Sequence, residues 1–152
     1  MRLALYEPDI PQNTGTIIRL AACMGVPVDI IEPCGFAFSE KSFRRSGLDY
    51  VEMAEIEHHM SFDHFESWRE KRGSRLVLLT TKAEQSYTAY EFSSDDIILM
   101  GRESAGVPDA VHSHADDRIT IPMPGKLRSL NVALAAAMVL GEALRQLKTH
   151  EE

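Results

Sequence analysis

No stretch of the 152-residue sequence is long and apolar enough to cross a bilayer. The longest apolar run, Val132 to Leu140, is nine residues, whereas a spanning helix needs about 20. The opening Met1-Arg-Leu-Ala-Leu-Tyr-Glu-Pro breaks at Glu7 and leads to no cleavage pattern, so no secretory segment is expected. Cysteine is scarce: Cys23 and Cys34 stand alone, with no CxxC pair. A chain of this size has core enough not to need a staple, so reduced thiols in the cytoplasm are expected. The histidines carry no metal-ligand spacing. His58 and His59 are adjacent, and His112 and His114 have no cysteine near them, so no metal site is expected. There is no GxGxxG fingerprint and no Walker loop, which removes the two commonest routes to cradling a phosphate. Linkers, repeats and low-complexity tracts are also missing, so one domain is expected over residues 1–152.

Acidic residues are in surplus, and the net charge of −7 argues at first against a nucleic-acid partner. The surplus is uneven. Residues 51–100 hold ten Asp or Glu against five Lys or Arg. Arg19, Lys41, Arg44, Arg45, Arg102, Lys126 and Arg128 lie in the polar islands and the 41–45 stretch, where a local basic patch can form on an acidic protein.

Hydrophobic periodicity alternates strand and helix. Strands are expected at Arg2–Tyr6, Val28–Ile31, Tyr50–Met53, Arg75–Leu79, Asp96–Met100 and Ile119–Ile121. Helices are expected over about Thr14–Met24, Ser39–Ser46, Ser61–Lys71 and Ser129–Leu147. The almost unbroken Leu/Val/Ile/Met runs at 75–79 and 96–100 fit central strands buried on both faces. The alternation predicts an α/β fold, a parallel sheet covered by helices on both faces.

Three polar islands follow strands: 11–19, 101–106 and the segment after Ile119. The third reads Ile119-Thr-Ile-Pro-Met-Pro-Gly-Lys-Leu-Arg-Ser-Leu-Asn, a strand stopped by prolines, then a polar loop, then a helix with Ser129 at the cap and Asn131 in its first turn. Loops at the ends of parallel strands are where α/β sheets build ligand sites. Gly101 allows a close backbone approach to a ligand and Gly106 a tight turn.

The order Asn13-Thr-Gly…Arg19, Gly101-x-Glu103-x-x-Gly106, Ile121-Pro-Met…Ser129-x-Asn131 resembles the three motifs of the SPOUT RNA methyltransferases, in their SpoU branch. The resemblance spans almost the whole chain, with no added RNA-binding domain. Leu5-Tyr-Glu-Pro-Asp-Ile-Pro-Gln-Asn-Thr-Gly, Ile31-Glu-Pro-Cys-Gly-Phe, Arg44-Arg-Ser-Gly-Leu-Asp-Tyr and Leu79-Thr-Thr-Lys narrow it further. They are similar to the minimal single-domain enzymes that 2′-O-methylate the wobble nucleotide of leucine tRNAs. One departure is arginine at 102, where the branch often has a small polar residue or proline.

What this implies, as expectation, is a three-layer α/β sandwich with a C-terminal deep trefoil knot. S-adenosylmethionine would be the methyl donor, leaving as S-adenosylhomocysteine, and a homodimer would complete the tRNA site. Leu79, Gly101, Ile121, Met123, Ser129 and Leu130 would line the cofactor pocket. Arg19, Asn13, Glu103 and Asn131 would be the catalytic set. Arg19 would hold a phosphate and stabilise developing alkoxide charge, because a guanidinium is too weak an acid to act as base. Glu103 would organise its loop and pair with Arg19 or Asn13. Lys41, Arg44, Arg45, Lys82 and Arg102 would meet the RNA. Two alternatives stay open: the same chemistry on another tRNA position or ribosomal RNA, and a non-catalytic RNA-binding knot protein.

Overall fold

In the first strand Leu3 and Leu5 face one way and Ala4 and Tyr6 the other, and all four are buried. A period of two with both faces apolar forces helices onto both sides of the sheet. The computed structural model describes residues 1–38, 54–127 and 129–151. Its elements are β1 (Arg2–Tyr6), α1 (Pro11–Met24), β2 (Val28–Ile31), β3 (Ile56–His59), α2 (Phe62–Arg72), β4 (Leu76–Leu79), β5 (Ile97–Met100), α3 (Asp109–His114), β6 (Asp117–Ile119) and α4 (Val132–Glu151). The strands form one sheet in the order β3-β2-β1-β5-β4-β6, with every neighbouring pair parallel.

Helices α1 and α4 bury Ile17, Ala21, Ala136, Val139 and Leu140 against Leu3, Leu5, Val28, Ile30 and Ile98. On the opposite face Phe65 of α2 and Val111 of α3 pack on Ala4, Tyr6, Leu76, Leu78, Ile97 and Leu99. This is the expected three-layer parallel-sheet sandwich. The sheet order reverses direction between β1 and β5, and the carboxyl ends of strands flanking such a reversal leave a crevice.

Several boundaries differ from the expected ones, each for a local reason. Helix α1 starts at Pro11, because proline at the first helical position has no N–H to satisfy and a φ already set for the helix. Its cap is therefore Ile10, without a side-chain hydrogen bond, and neither Asn13 nor Thr14 serves as cap. The last strand is 117–119, not 119–121. Beyond Ile119 the chain turns to the segment after β4: Thr120 N–H donates to Gln85 O and Thr120 O accepts from Tyr87 N–H, both at 2.9 Å. Helix α2 is capped by Ser61 as expected, its Oγ accepting from His64 N–H at 3.1 Å. The edge strand β3 and the six-residue α3 went unanticipated. In β3, Glu57 and His58 are exposed, so its pattern is not apolar. The strand expected at 50–53 and the basic helix expected at 39–46 lie outside the described residues.

One polar group sits deep in the sheet. Asp29 on β2 is fully buried and accepts from Arg2 Nε at 2.8 Å and Arg2 Nη2 at 3.0 Å, with His59 Nε2 at 2.9 Å. The Arg2 guanidinium also lies 5.0 Å from the centre of the Trp68 ring. Asp29, Glu57 and His59 bring ligand atoms within 4.8 Å of one another. The Arg2 guanidinium already supplies the positive charge there, 2.8 Å from Asp29 and 3.5 Å from Glu57.

Candidate functional site

Leu79 pairs with Met100 on one side and Ile119 on the other, so β5, β4 and β6 end level. The three polar islands leave from these ends and from β1, and they meet. Between them lies a cavity of about 450 Å³, within the range of small-molecule sites. Leu79, Thr80 and Thr81 line it after β4, and Gly101, Arg102, Glu103 and Gly106 after β5. Ile121 and Met123 follow β6, Ser129, Leu130 and Asn131 precede α4, and Ile10 and Asn13 come from the start of α1. All six expected cofactor-lining residues are on this wall, as are Asn13, Glu103 and Asn131 of the expected catalytic set.

Arg19 is not on the wall. It is exposed on α1, six residues beyond Asn13 and so about 9 Å further along the helix axis at 1.5 Å per residue. Lys82 is exposed next to the wall residue Thr81, and its N–H donates to Thr80 Oγ1 at 3.2 Å. Lys41, Arg44, Arg45 and Arg128 lie outside the described residues.

The helix start at this wall corrects one expectation. Asn131, not Ser129, caps α4: its Oδ1 accepts from Ala133 N–H at 2.8 Å and Leu134 N–H at 3.3 Å. Its Nδ2 donates to Asn13 Oδ1 at 2.9 Å, tying the starts of α1 and α4 together. Both ends of the Asn131 amide are thus committed to holding the wall. Ser129, two residues earlier, is exposed and lines the cavity without capping the helix.

Gly101 lines the cavity as expected, and it is also crowded by its own loop. A Cβ at 101 would lie 2.9 Å from both the carbonyl carbon and the Cα of Gly106. The loop 101–106 folds back on itself, with Arg102 N–H donating to Gly106 O and Gly106 N–H to Arg102 O, both at 2.9 Å. Gly101→Ala is expected to lower stability by about 1–3 kcal/mol, the usual cost of overpacking, measured by thermal melting of the protein alone. An unchanged melting temperature would show that the loop yields freely.

Glu103 also has a different partner from the ones expected. It accepts from the Asp9 backbone N–H at 3.1 Å, and its carboxyl meets the Asp9 carboxyl. Burial, then Asp9, push Glu103 above the usual glutamate value. The bond from Glu103, then one from Ser104, pull Asp9 below the usual aspartate value. Arg102 points its Nε toward Asp9 Oδ2 at 3.9 Å while still touching the cavity. Asp9 was missed from sequence because it precedes the polar island. It lies in the loop between β1 and α1, where no periodicity signals that it turns toward Glu103.

Among known proteins, the model of the SpoU rRNA Methylase family matches residues 1–141. A tRNA (cytidine(34)-2′-O)-methyltransferase of Beijerinckia indica subsp. indica is 61% identical over 144 residues, covering 95% of this chain and 90% of that protein. A solved structure described as structural insights into the 2-OH methylation of C/U34 on tRNA superposes with a TM-score of 0.91 at 39% identity, covering 97% of this chain and 96% of that one. The SpoU methyltransferase AviRb from Streptomyces viridochromogenes, solved with AdoMet, has a TM-score of 0.86 at 27% identity over 98% of this chain and 61% of its own.

Proposed function

Because the chain belongs to the SpoU rRNA Methylase family, we propose that it transfers a methyl group from S-adenosylmethionine to the ribose 2′-hydroxyl of nucleotide 34 of tRNA. The substrate would be the wobble cytidine or modified uridine of leucine tRNAs. The observation that carries this reading is the convergence of Asn13, Glu103, Ser129 and Asn131 on one cavity, in a chain alike over nearly its whole length to a cytidine-34 methyltransferase.

The wall suits the donor. Leu79, Ile121, Met123 and Leu130 give it an apolar side, and Asn13, Ser129 and Asn131 a polar one. S-adenosylmethionine supplies an electrophilic methyl on a sulfonium. The protein's own task is then to align the hydroxyl, offset its charge and let its proton leave. Asn131 is a positioning residue, since its amide is spent on the α4 cap and on Asn13. Glu103, bonded to Asp9, organises its loop. Arg19 provides charge from outside the cavity.

A deep knot fits the way the segment 80–96 is pinned at two points. Gln85 and Tyr87 bond to Thr120, and Tyr90 and Phe92 bond to Gln146 on α4 at 2.9 and 3.0 Å. The chain from 120 to 131 would pass through that loop. A homodimer fits the outer side of α4, where Leu134 is 60% and Met138 42% exposed one turn apart. Among the described residues no helix is long and apolar enough to cross a membrane, and a tRNA substrate supports a reading of the protein as cytoplasmic.

The corrected cap separates two neighbouring residues. Ser129→Ala is expected to weaken S-adenosylmethionine binding about 3- to 10-fold, the worth of one hydrogen bond, with no change in melting temperature. Asn131→Ala is expected to cost about 1 kcal/mol of stability as well, through the lost cap. Calorimetric titration and thermal melting distinguish them; equal stability losses would return the cap to Ser129.

The test of the function is transfer of labelled methyl from S-adenosylmethionine into tRNA lacking its own wobble methylation, followed by alkaline digestion. A 2′-O-methyl blocks cleavage at its own linkage, so label in an alkali-resistant dinucleotide from the anticodon is expected. Label in a resistant dinucleotide from elsewhere keeps the chemistry and overturns the position. No incorporation into tRNA turns the search to ribosomal RNA and then to a non-catalytic protein.

A further inference from the structure

We propose, resting on the methyl-transfer reading above, that Asp9 is a positioning residue that clamps the loop 101–106 against the cavity and fixes the orientation in which Glu103 meets the substrate. Asp9 is in the connection from β1 to α1, immediately before the wall residue Ile10. It grips the 101–106 loop at three points. Its N–H donates to Glu103 Oε2 at 3.1 Å, its Oδ2 accepts from Ser104 Oγ, and the same oxygen faces Arg102 Nε at 3.9 Å. It has no room to retreat. Behind it is Gly35, where a Cβ would lie 2.7 Å from the Asp9 Cβ, and Gly35 N–H bonds to Pro8 O at 2.9 Å.

The remaining carboxylate oxygen, Asp9 Oδ1, is buried and has no hydrogen-bond partner among the described residues. The Glu103 carboxyl bonds to the Asp9 carboxylate, and a proton held on Glu103 would give that carboxylate a further donor. Two adjoining carboxyls do not both ionise without strong repulsion, so the pair favours a state with one proton, in which Asp9 is the anion and Glu103 the acid. Glu103's upward direction is due first to burial and then to Asp9. A raised acid contributes its stabilisation below its ordinary value and loses it as pH rises through the raised one. The clamp is therefore closed while the pair holds one proton and loosens as rising pH removes that proton from Glu103; Asp9, held below its ordinary value, loses its own contribution only as pH falls through that lowered value.

Other ionisable groups facing this corner are Arg102 from the loop itself, Tyr6 and Glu7 from the end of β1, and Glu32 and Cys34 from the connection after β2. Burial, then the bond to Glu7, pushes the Tyr6 phenol up to about 12. Burial, then Glu32, pushes the Cys34 thiol up to about 11. Both stay neutral where the carboxyl pair titrates.

The decisive measurement is hydrogen exchange of the 101–106 amides in the protein alone, corrected for intrinsic rates, from about pH 5 to about pH 9. Native protein, Asp9→Asn and Asp9→Ala are compared, and methyl transfer is followed across the same range. In the native protein, protection of Arg102 and Gly106 N–H is expected to fall as pH rises. Asp9→Ala is expected to open the loop at least about tenfold at every pH, from loss of a buried bond, and to lower kcat/KM about 10- to 100-fold through misplacement. Asn at 9 can donate to an ionised Glu103, so Asp9→Asn is expected to retain the loop and lose the pH dependence of both readouts. A merely structural role would not be rescued in this pH-selective way. The proposal is overturned if Asp9→Ala exchanges like the native protein, if it retains native kcat/KM, or if Asp9→Asn retains the native pH dependence. If the native protein methylates no RNA, the functional reading fails, while the exchange data still decide whether Asp9 holds the loop.

Discussion

Arg19→Ala is expected to lower kcat/KM for methyl transfer about 100- to 1,000-fold, the usual loss when one charge-stabilising donor is removed, while S-adenosylmethionine binds as before. Both halves follow from placement. Arg19 is exposed on α1 and absent from the cavity wall, so removing it takes no contact from the cofactor. A guanidinium stays protonated and cannot take the hydroxyl proton, so its service is to hold phosphate and offset alkoxide charge. That service is needed only when RNA is bound. Single-turnover rates with saturating tRNA, beside calorimetric titration of the cofactor, separate the two effects. A collapse of cofactor binding would place Arg19 in the pocket and refute the role given to it. Full activity would reduce it to a surface residue of an amphipathic helix.

Asp29→Ala is expected to cost about 3–5 kcal/mol, the penalty for removing one partner of a buried ion pair. In a chain of this size that is a fall in melting temperature of about 10 °C, at about 2–4 °C per kcal/mol. The carboxylate is fully buried and holds both Arg2 and His59. Without it, Arg2, only 7% exposed, keeps Glu57, at 3.5 Å, as its remaining carboxylate partner among the described residues. The cavity is untouched, since neither Asp29 nor its partners line it. Activity per folded molecule should therefore equal that of the native protein at low temperature. Chemical denaturation with parallel activity assays checks both; a loss below about 1 kcal/mol would mean that water replaces the carboxylate as Arg2's partner.

Legibility from sequence followed how local each signal was. The strand at 2–6, the strand at 28–31 and the Ser61 cap were read correctly because each is decided by neighbours in the chain: a β-branched or leucine-rich run, or a serine three residues before an available N–H. Strand β3 was not, because an edge strand needs only one apolar side and its Glu57 and His58 look like loop. The start of α4 shows the limit most clearly. Ser129 and Asn131 are both good caps. Asn131 takes the position while also being held by Asn13, which is 118 residues away in the chain.

The identity of the wall residues was largely visible, since Leu79, Gly101, Ile121, Met123, Ser129 and Leu130 all reach the cavity. Their reasons for being there were not. Gly101 is required by the return of its own loop onto Gly106, and Glu103 bonds to Asp9, which the sequence did not single out.

Sequence by itself determined the alternation of strand and helix, the burial of the sheet on both faces, and the three loops with their motif residues. Each of these depends on patterning over a few consecutive residues. Tertiary structure alone decided the strand order, the meeting of those loops at the carboxyl ends of β1, β5, β4 and β6, and the pairings Asp9 with Glu103, Asn13 with Asn131 and Arg2 with Asp29. Such contacts join residues far apart in the chain. Burial sets their strength, and no local pattern encodes which distant partner will be buried beside a given charge.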